Sequence, residues 1–165
     1  QAVIRDLSGF GCKIYAYDVY RSESVKEYAD YVENVQEIYQ KCDLITLHMP
    51  LFESNFHMID EKAMAQMKDG VVLINTARGG LIDDQALAEA LVSGKVAAAG
   101  LDCVEDENLE ENPLAKMSNV ILTPHMGGTS NDLADEMIPK IASQIKMLAE
   151  VGKIQNIVNQ QYLQK

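Results

Sequence analysis

Positive charge is scarce in this sequence, and long apolar runs are absent. The 165 residues contain 14 Lys and Arg against 25 Asp and Glu, for a formal net charge of −11. A nucleic-acid interface requires a basic patch, which this composition does not provide. No segment approaches the roughly 20 consecutive apolar residues of a membrane-spanning helix, and residues 1–10 do not resemble a signal peptide. We therefore expect a cytoplasmic protein with neither nucleic-acid nor membrane partners.

Cysteine is also scarce, and its spacing does not indicate a disulfide framework. Cys12, Cys42 and Cys103 are odd in number and include no C-x-x-C pair. Because Cys12 and Cys103 lie in or beside apolar runs, we expect them to be reduced residues of the core. No paired ligand spacing surrounds His48 or His57, so the sequence predicts no metal site.

Short apolar, β-branched runs alternate with segments of helical periodicity along the chain. The spacing predicts helices over 1–9, 22–29, 34–42, 60–68, 83–93 and 131–150. It predicts strands over 13–18, 43–49, 71–74, 96–101 and 120–122. This alternation is typical of right-handed β-α-β units, whose strands form a parallel sheet.

Reactive side chains follow the last three predicted strands. Arg78 comes after the third strand, Asp102 with Glu105 and Glu107 after the fourth, and His125 after the fifth. In an open parallel sheet, ligands bind beyond the carboxyl ends of the strands. An arginine can hold a carboxylate with two hydrogen bonds, a histidine can donate a proton near neutral pH, and a carboxylate beside it favours the imidazolium. These residues together predict a site for a 2-oxo acid.

Asp18, at the end of the first predicted strand, indicates a dinucleotide. An acid there hydrogen-bonds the adenosine ribose and repels a 2′-phosphate, which favours NAD over NADP. The G-x-G-x-x-G turn expected before the first helix is missing, because Gly9 and Gly11 follow that helix and the sixth position is Ile14. We therefore interpret the fold class as α/β, a Rossmann-like doubly wound parallel sheet that lacks its first strand and glycine-rich turn. The absence of an initiator Met also suggests a chain that begins partway through a longer protein.

Five segments resemble the cofactor-binding half of the D-isomer-specific 2-hydroxyacid dehydrogenases, the family of D-lactate, glycerate and phosphoglycerate dehydrogenases. They are GFGCKIYAYD, CDLITLHMPLFESNFHMID, MKDGVVLINTARGGLIDDQAL, VAAAGLDCVEDE and NVILTPHMGG. The resemblance implies an oxidoreductase that transfers a hydride between NAD(H) and a D-2-hydroxy acid/2-oxo acid pair. The cofactor that it implies is NAD.

The resemblance also implies which residues act. The catalytic residues would be Arg78 for the substrate carboxylate, His125 as acid/base and Glu107 as the partner of the histidine. Glu107 is selected because the family's glutamate lies five residues after the strand-end aspartate, and Glu105 competes for the role. The implied cofactor-binding residues are Asp18, Met49, Pro50, Asn55, Thr76, Ala77, Arg78, Asp102, His125, Gly127 and Gly128.

The remaining expectations concern organisation. Residues 1–128 would be a partial NAD-binding domain, 129–150 a long helix crossing back towards the substrate domain, and 151–165 the C-terminal tail of that domain. Because the glycine turn and the substrate domain are absent, we expect the chain alone to be inactive or barely active. The resemblance to the family implies that the complete protein forms a homodimer. His48 is expected to be packed and His57 to lie on the surface.

Two other functions stay open at this point. One is an NAD-sensing, corepressor-like binding protein of the same fold. The other is formate dehydrogenase, in which the partner of the histidine is typically a glutamine, so Glu107 favours hydroxyacid chemistry. The string PHMGGTS resembles the phosphoglycerate and glycerate branch more than the D-lactate branch, but it does not select one 2-hydroxy acid.

Overall fold

The computed structural model describes residues 1–105 and 110–152. These residues fall within two compact units, Gln1–His125 and Met126–Lys165. The helices of the first unit are α1 (Ala2–Ser8), α2 (Val35–Lys41), α3 (Glu61–Gln66) and α4 (Asp84–Ser93). Its strands are β1 (Tyr15–Ala16), β2 (Asp30–Tyr31), β3 (Leu44–Leu47), β4 (Val71–Asn75), β5 (Val96–Leu101) and β6 (Val120–Leu122).

Four strands of the first unit form a parallel sheet in the order β3-β4-β5-β6. β4 is an interior strand, since it pairs with β3 on one side and β5 on the other. Its apolar and β-branched composition suits burial on both faces of a parallel sheet. The register aligns Asn75 with Leu101 and Leu101 with Leu122, so β4, β5 and β6 end at one edge.

Side-chain caps define where the helices beside this sheet begin. Asn34, Asp60 and Asp83 each accept a hydrogen bond from the backbone N–H three residues ahead, at 2.8–3.1 Å. Such caps satisfy N–H groups that the helix itself leaves without a partner. α4 ends at Gly94, whose φ of +80° lies in the left-handed region that glycine adopts without strain. Local sequence therefore sets the limits of these helices.

The core packs the sheet against α3, α4 and the turns between them. Its fully buried members include Ile59, Met64, Leu73, Leu81, Ile82, Leu87 and Leu114. Complete burial of a side chain of this size contributes about 1.5–3 kcal/mol. The segment that follows β4 belongs to this core, because Leu81 and Ile82 are fully buried. The turn that carries Arg78 is therefore anchored in the core on both sides.

The helix predicted over 22–29 is wrong. That segment contains only a 3₁₀ turn, Glu23–Val25, and the chain then extends into β2, which the sequence did not predict. The backbone N–H groups of Asp30 and Val32 donate to carbonyls alongside β1 instead of closing helical turns. Pairing with β1 therefore overrides the helical periodicity.

The strands also form two sheets where the sequence predicted one. β1 and β2 make a separate two-stranded parallel sheet, and within residues 1–105 and 110–152 no strand joins it to β3. Leu44, at the open edge of β3, is consequently 48% exposed. The two sheets are separated at the position where the fold class expected from the sequence would have its first strand.

The cysteine expectation is half right. Cys103 is buried, as expected, but Cys12 is exposed. Cys12 lies outside the core because β1 begins only at Tyr15. The residues before β1 form an exposed turn and not a strand.

The second unit contains one long helix, α5 (Asn131–Val151), close to the predicted limits. Ser130 Oγ caps its start by accepting the N–H of Leu133 at 3.1 Å, and Gly152 ends it at a φ of +68°. The apolar positions Leu133, Met137, Ile138, Ile141, Ile145 and Leu148 are each 41–64% exposed. No helix in the described part of the chain combines the length and apolar character needed to cross a membrane.

Candidate active site at the carboxyl ends of the strands

The turn that carries Arg78 is held by Asn75, the last residue of β4. Asn75 is 1% exposed, its Oδ1 accepts the N–H of Ala77 at 3.0 Å, and its Nδ2 donates to the carbonyl of Arg78 at 2.9 Å. One buried amide thus satisfies two backbone groups of the turn and defines its shape. Sequence reasoning missed Asn75 as a site residue, although an Asn after a buried strand is a turn signal.

The Arg78 side chain itself is exposed. Its Nη1 donates to the carbonyl of Ala77 at 2.6 Å, which orients the guanidinium. Across the described residues, no carboxylate forms an ion pair with it. Donors therefore remain for an external carboxylate, which a guanidinium can bind in a bidentate manner.

Gly79 brings the arginine turn into contact with the chain after β5. A Cβ at this position would lie 1.9 Å from the carbonyl oxygen of Val104 and 2.6 Å from the backbone nitrogen of Glu105. Only glycine allows two backbones to approach this closely. The turns after β4 and β5 are therefore packed against each other.

Asp102, directly after β5, is 6% exposed and held by hydrogen bonds. Thr123 Oγ1 donates to Asp102 Oδ1 at 2.6 Å, and the backbone N–H of Asp102 donates to the carbonyl of Asn75 at 2.9 Å. Thr123, which follows β6, therefore orients a carboxylate that follows β5. This contact links the ends of two neighbouring strands.

His125 has an unusual backbone conformation. Its φ is +50°, and its N–H donates to the carbonyl of Thr123 at 2.9 Å to form a tight turn. Non-glycine residues in this region store backbone strain, which is often found at functional sites. A cavity of about 140 Å³ is lined by Asp102, Cys103, Val104, Leu122, Thr123, Pro124 and His125. Asp102 and His125 thus share one cavity at the edge of the sheet.

A second cavity gathers five of the sequence-predicted residues. It measures about 310 Å³ and is lined by His48, Met49, Pro50, Thr76, Ala77 and Arg78. These residues follow β3 and β4, two adjacent strands. Such a crevice beyond the strand ends is where an α/β sheet binds a nucleotide.

His48 was expected to be packed, and the structure corrects this. The residue is exposed, it lines the larger cavity, and its Nε2 lies 2.9 Å from Thr46 Oγ1. Partial desolvation of the ring lowers the pKa of His48. The neutral form of the His48 ring is therefore favoured in this cavity.

Asp18 and Asn55 lie in turns, Asp18 after β1 and Asn55 after β3. Asp18 is exposed beyond β1, and its Oδ1 accepts the N–H of Tyr20 at 2.9 Å. The Asn55 amide donates to the carbonyl of Pro50 at 2.9 Å and accepts the N–H of Phe52 at 2.6 Å. Asn55 thus closes the turn that presents Pro50, a role that its sequence position did not reveal.

His57 is not a simple surface residue. Its side chain is 28% exposed, its Nε2 lies 2.9 Å from Glu105 Oε2, and its ring stacks on Phe56 with centroids 3.9 Å apart. Glu105, the competitor for the partnership with His125, is thus paired with another histidine. Glu107 lies outside the described residues. Gly127 and Gly128 belong to the second unit, where Gly128 has open space around its Cα.

The parallel sheet, with polar side chains and cavities beyond the carboxyl ends of its strands, has the arrangement in which open α/β domains bind nucleotides. The model of the D-isomer specific 2-hydroxyacid dehydrogenase, NAD binding domain, matches residues 1–127, and the chain belongs to this family. The expected fold class and cofactor, a Rossmann-type domain and NAD, are confirmed at this level.

Several known proteins are similar to this chain. An aromatic 2-oxoacid reductase of Clostridium sporogenes is 42% identical over an alignment of 151 positions, and the match covers 82% of this chain and 45% of the relative. A D-3-phosphoglycerate dehydrogenase of Methanocaldococcus jannaschii is 38% identical over an alignment of 161 positions, and the match covers 96% of this chain and 31% of the relative. The chain therefore spans about half or less of the length of these relatives.

Solved structures agree with the sequence relatives. A D-isomer specific 2-hydroxyacid dehydrogenase from Lactobacillus delbrueckii ssp. bulgaricus, complexed with NAD, has a TM-score of 0.84 and 34% identity over 96% of this chain and 52% of its own. A D-lactate dehydrogenase from Aquifex aeolicus, complexed with NAD and lactic acid, has a TM-score of 0.83 and 34% identity over 90% of this chain and 49% of its own.

Proposed function

We propose that the complete protein is an NAD-dependent oxidoreductase that interconverts a 2-oxo acid and its D-2-hydroxy acid. The observation that carries this proposal is the position of Arg78, Asp102 and His125, which follow three adjacent parallel strands ending at one edge. The relatives include reductases and dehydrogenases of lactate, glycerate and aromatic 2-oxo acids, which supports the same substrate class.

Each residue has a distinct role in this proposal. Arg78 binds the substrate carboxylate and polarises the carbonyl, because its donors are available at the strand end. His125 donates a proton to the carbonyl oxygen during reduction, and Glu107 favours the charged imidazolium. The pairing of Glu105 with His57 supports Glu107 as that partner. NADH, when bound, supplies the hydride.

The cofactor residues divide between the two ends of the nucleotide. Asp18 binds the adenosine ribose, while Met49, Pro50 and Asn55 form the wall near the adenosine half. Thr76, Ala77 and Asp102 bind near the nicotinamide. The resemblance to the family assigns Gly127 and Gly128 to the nicotinamide ring as well. The donor and acceptor groups present, with a buried carboxylate oriented by Thr123, suit a polar carboxamide.

The complete protein should be assayed with NADH and a panel of 2-oxo acids. Pyruvate, hydroxypyruvate, glyoxylate and an aromatic 2-oxo acid cover the chemistry of the relatives. We expect NADH oxidation with at least one of them and a D-configured product. Absence of turnover together with tight NADH binding would favour the cofactor-sensing alternative.

Arg78→Lys should impair the use of substrate. A lysine retains the charge but not the planar pair of donors, so kcat/KM for the 2-oxo acid should fall by about 100- to 1,000-fold. The affinity for NADH, measured by fluorescence titration, should change little. Arg5→Lys on the exposed face of α1 is the matched control. A kcat/KM for Arg78→Lys equal to that of this control would remove Arg78 from the site.

Asp18→Asn should weaken the preference for NADH over NADPH. The amide oxygen can still accept the N–H of Tyr20, so the turn is kept while the negative charge is removed. Loss of repulsion towards a 2′-phosphate should lower the NADH/NADPH ratio of kcat/KM by about tenfold or more. An unchanged ratio would mean that Asp18 does not contact the ribose.

The organisation of the protein is part of the proposal. Residues 1–128 serve as the cofactor domain, 129–150 as the helix that crosses to a substrate domain, and 151–165 as part of that domain. We expect the 165 residues alone to be inactive or barely active. The homodimer of the complete protein is a separate expectation, based on the resemblance to the family. Sedimentation analysis of the complete protein and an NADH assay of the isolated chain test these two points.

A further inference from the structure

His57 contacts three segments that surround the arginine turn in sequence and in space. Its ring Nε2 lies 2.9 Å from Oε2 of Glu105, on the chain after β5, and its Nδ1 lies 3.8 Å from Oδ2 of Asp83, which caps α4. Its backbone N–H donates to the carbonyl of Gly80 at 2.8 Å, two residues after Arg78. One residue of the chain after β3 therefore joins the turns that follow β4 and β5.

The backbone of His57 is strained, and its ring is held firmly. In the described part of the chain, His57 and His125 are the non-glycine residues with a positive φ, and that of His57 is +51°. Such residues persist where the surrounding structure compensates for the strain. The His57 side chain is 28% exposed, and its ring stacks on Phe56 with centroids 3.9 Å apart. Packing and the contact with Glu105 thus fix the same ring.

The two glycines after Arg78 touch the two neighbours that hold this ring. A Cβ on Gly80 would lie 3.1 Å from Cε2 of Phe56, which stacks on His57. A Cβ on Gly79 would lie 2.6 Å from the backbone nitrogen of Glu105, whose carboxylate pairs with His57. A shift of the Glu105 backbone would therefore open the contact that supports the arginine turn.

We propose that His57 is a positioning residue for Arg78. By holding the Glu105 side chain, it keeps the backbone after β5 against Gly79, and it fixes Gly80 through the carbonyl of that residue. This inference rests on the proposed function, in which Arg78 binds the substrate carboxylate. His57 acts on the arginine through the backbone of its turn and has no direct part in the chemistry.

Two substitutions of His57 in the complete protein separate the ring contact from backbone strain. Asn adopts the left-handed region readily, but its amide ends where Nδ1 of the ring lies, too short for Glu105. Gln suits that backbone less well, but its Nε2 reaches about as far as the imidazole Nε2 and can donate to the carboxylate.

His57→Asn should lower kcat/KM for the 2-oxo acid by about 10- to 100-fold, since small misplacements of a binding group have effects of this size. His57→Gln should restore most of it, whereas backbone strain alone would produce the opposite order. The affinity for NADH, measured by fluorescence titration, should stay unchanged in both. A His57→Gln variant no more active than His57→Asn would overturn the proposal.

A double-mutant cycle with Arg78→Lys tests whether His57 acts through the arginine. In the Arg78→Lys background the guanidinium is already gone, so His57→Asn should lower kcat/KM by less than about threefold. Loss by the same factor in both backgrounds would show that the two residues act independently, and the proposal would be wrong.

Thiol labelling gives a readout that does not depend on turnover. Cys103, two residues before Glu105, is 6% exposed. It should react about tenfold faster or more in His57→Asn than in wild type, because the chain after β5 is loosened locally. Cys42, half-buried at the end of α2, is the internal control and should keep its rate. Mass spectrometry of the labelled peptides measures both rates.

The labelling pattern also distinguishes the possible failures. A wild-type rate at Cys103 in His57→Asn, or equal acceleration at Cys103 and Cys42, would contradict a local role of His57. A wild-type protein that reduces no 2-oxo acid would contradict the proposed function instead, and the labelling of Cys103 would still decide whether His57 holds the turn.

Discussion

Replacing His125 with Asn in the complete protein should lower kcat for 2-oxo acid reduction by about 100- to 10,000-fold, the range of general acid catalysis. The imidazole is the proposed proton donor, and an amide cannot replace it at neutral pH. The affinity for NADH should stay nearly unchanged, because the substitution removes no charged contact between the protein and the cofactor. Steady-state kinetics and fluorescence titration of NADH measure the two effects separately.

Asparagine is the appropriate substitute because His125 has a φ of +50°. Asn populates the left-handed region more readily than Ala, so the backbone of the turn is preserved. His125→Ala should show the same loss of kcat together with a lower thermal stability, since it adds strain to the loss of the imidazole. Retention of more than a tenth of wild-type turnover in His125→Asn would exclude His125 as the acid.

Gly79→Ala should lower the free energy of unfolding by about 3 kcal/mol or more, an effect at the upper end for overpacking. Its new Cβ would lie 1.9 Å from the Val104 carbonyl oxygen and 2.1 Å from its carbon. These are backbone atoms, which cannot rotate away as a side chain would. Protein that still folds should bind the 2-oxo acid more weakly, because the turn after β4 must move away from the turn after β5. Denaturation and substrate KM measure the two effects.

Gly9→Ala is the matched control for this substitution. Gly9 has a φ of −70°, which alanine adopts without strain, and the nearest atom to its added Cβ is 3.9 Å away. The control should change stability by less than about 0.5 kcal/mol, as expected for a surface position. If Gly79→Ala were equally neutral, the close approach of the two turns would be wrong.

The elements next to the site were predicted most accurately. β5 and β6 have the predicted limits, β4 extends one residue further to Asn75, and α4 begins one residue later, at Asp84. Continuous apolar runs define the buried strands, and Asp83 and Gly94 mark the ends of the helix. These signals act within a few residues, so the sequence alone contains them.

The segment 22–29 shows where local signals fail. Its residues have helical spacing, yet the chain pairs with β1 through contacts that the spacing does not encode. Tertiary hydrogen bonding outweighs a weak helical preference in so short a segment. The position of His48 could not be predicted for the same reason. Its ring lines a cavity whose other wall consists of Thr76, Ala77 and Arg78, which follow a different strand.

The sequence by itself determined the α/β class, the family, and the positions of Arg78, Asp102 and His125 after successive strands. Only the tertiary structure decided which side chains support them. Glu105 pairs with His57 across 48 residues, and Asp84 with Asn112 across 28. The chain offers many acids of similar local context, and the choice among them depends on which groups the packed core brings within hydrogen-bond distance. Periodicity and capping are local properties of the chain, whereas the choice of partner is a property of the folded core.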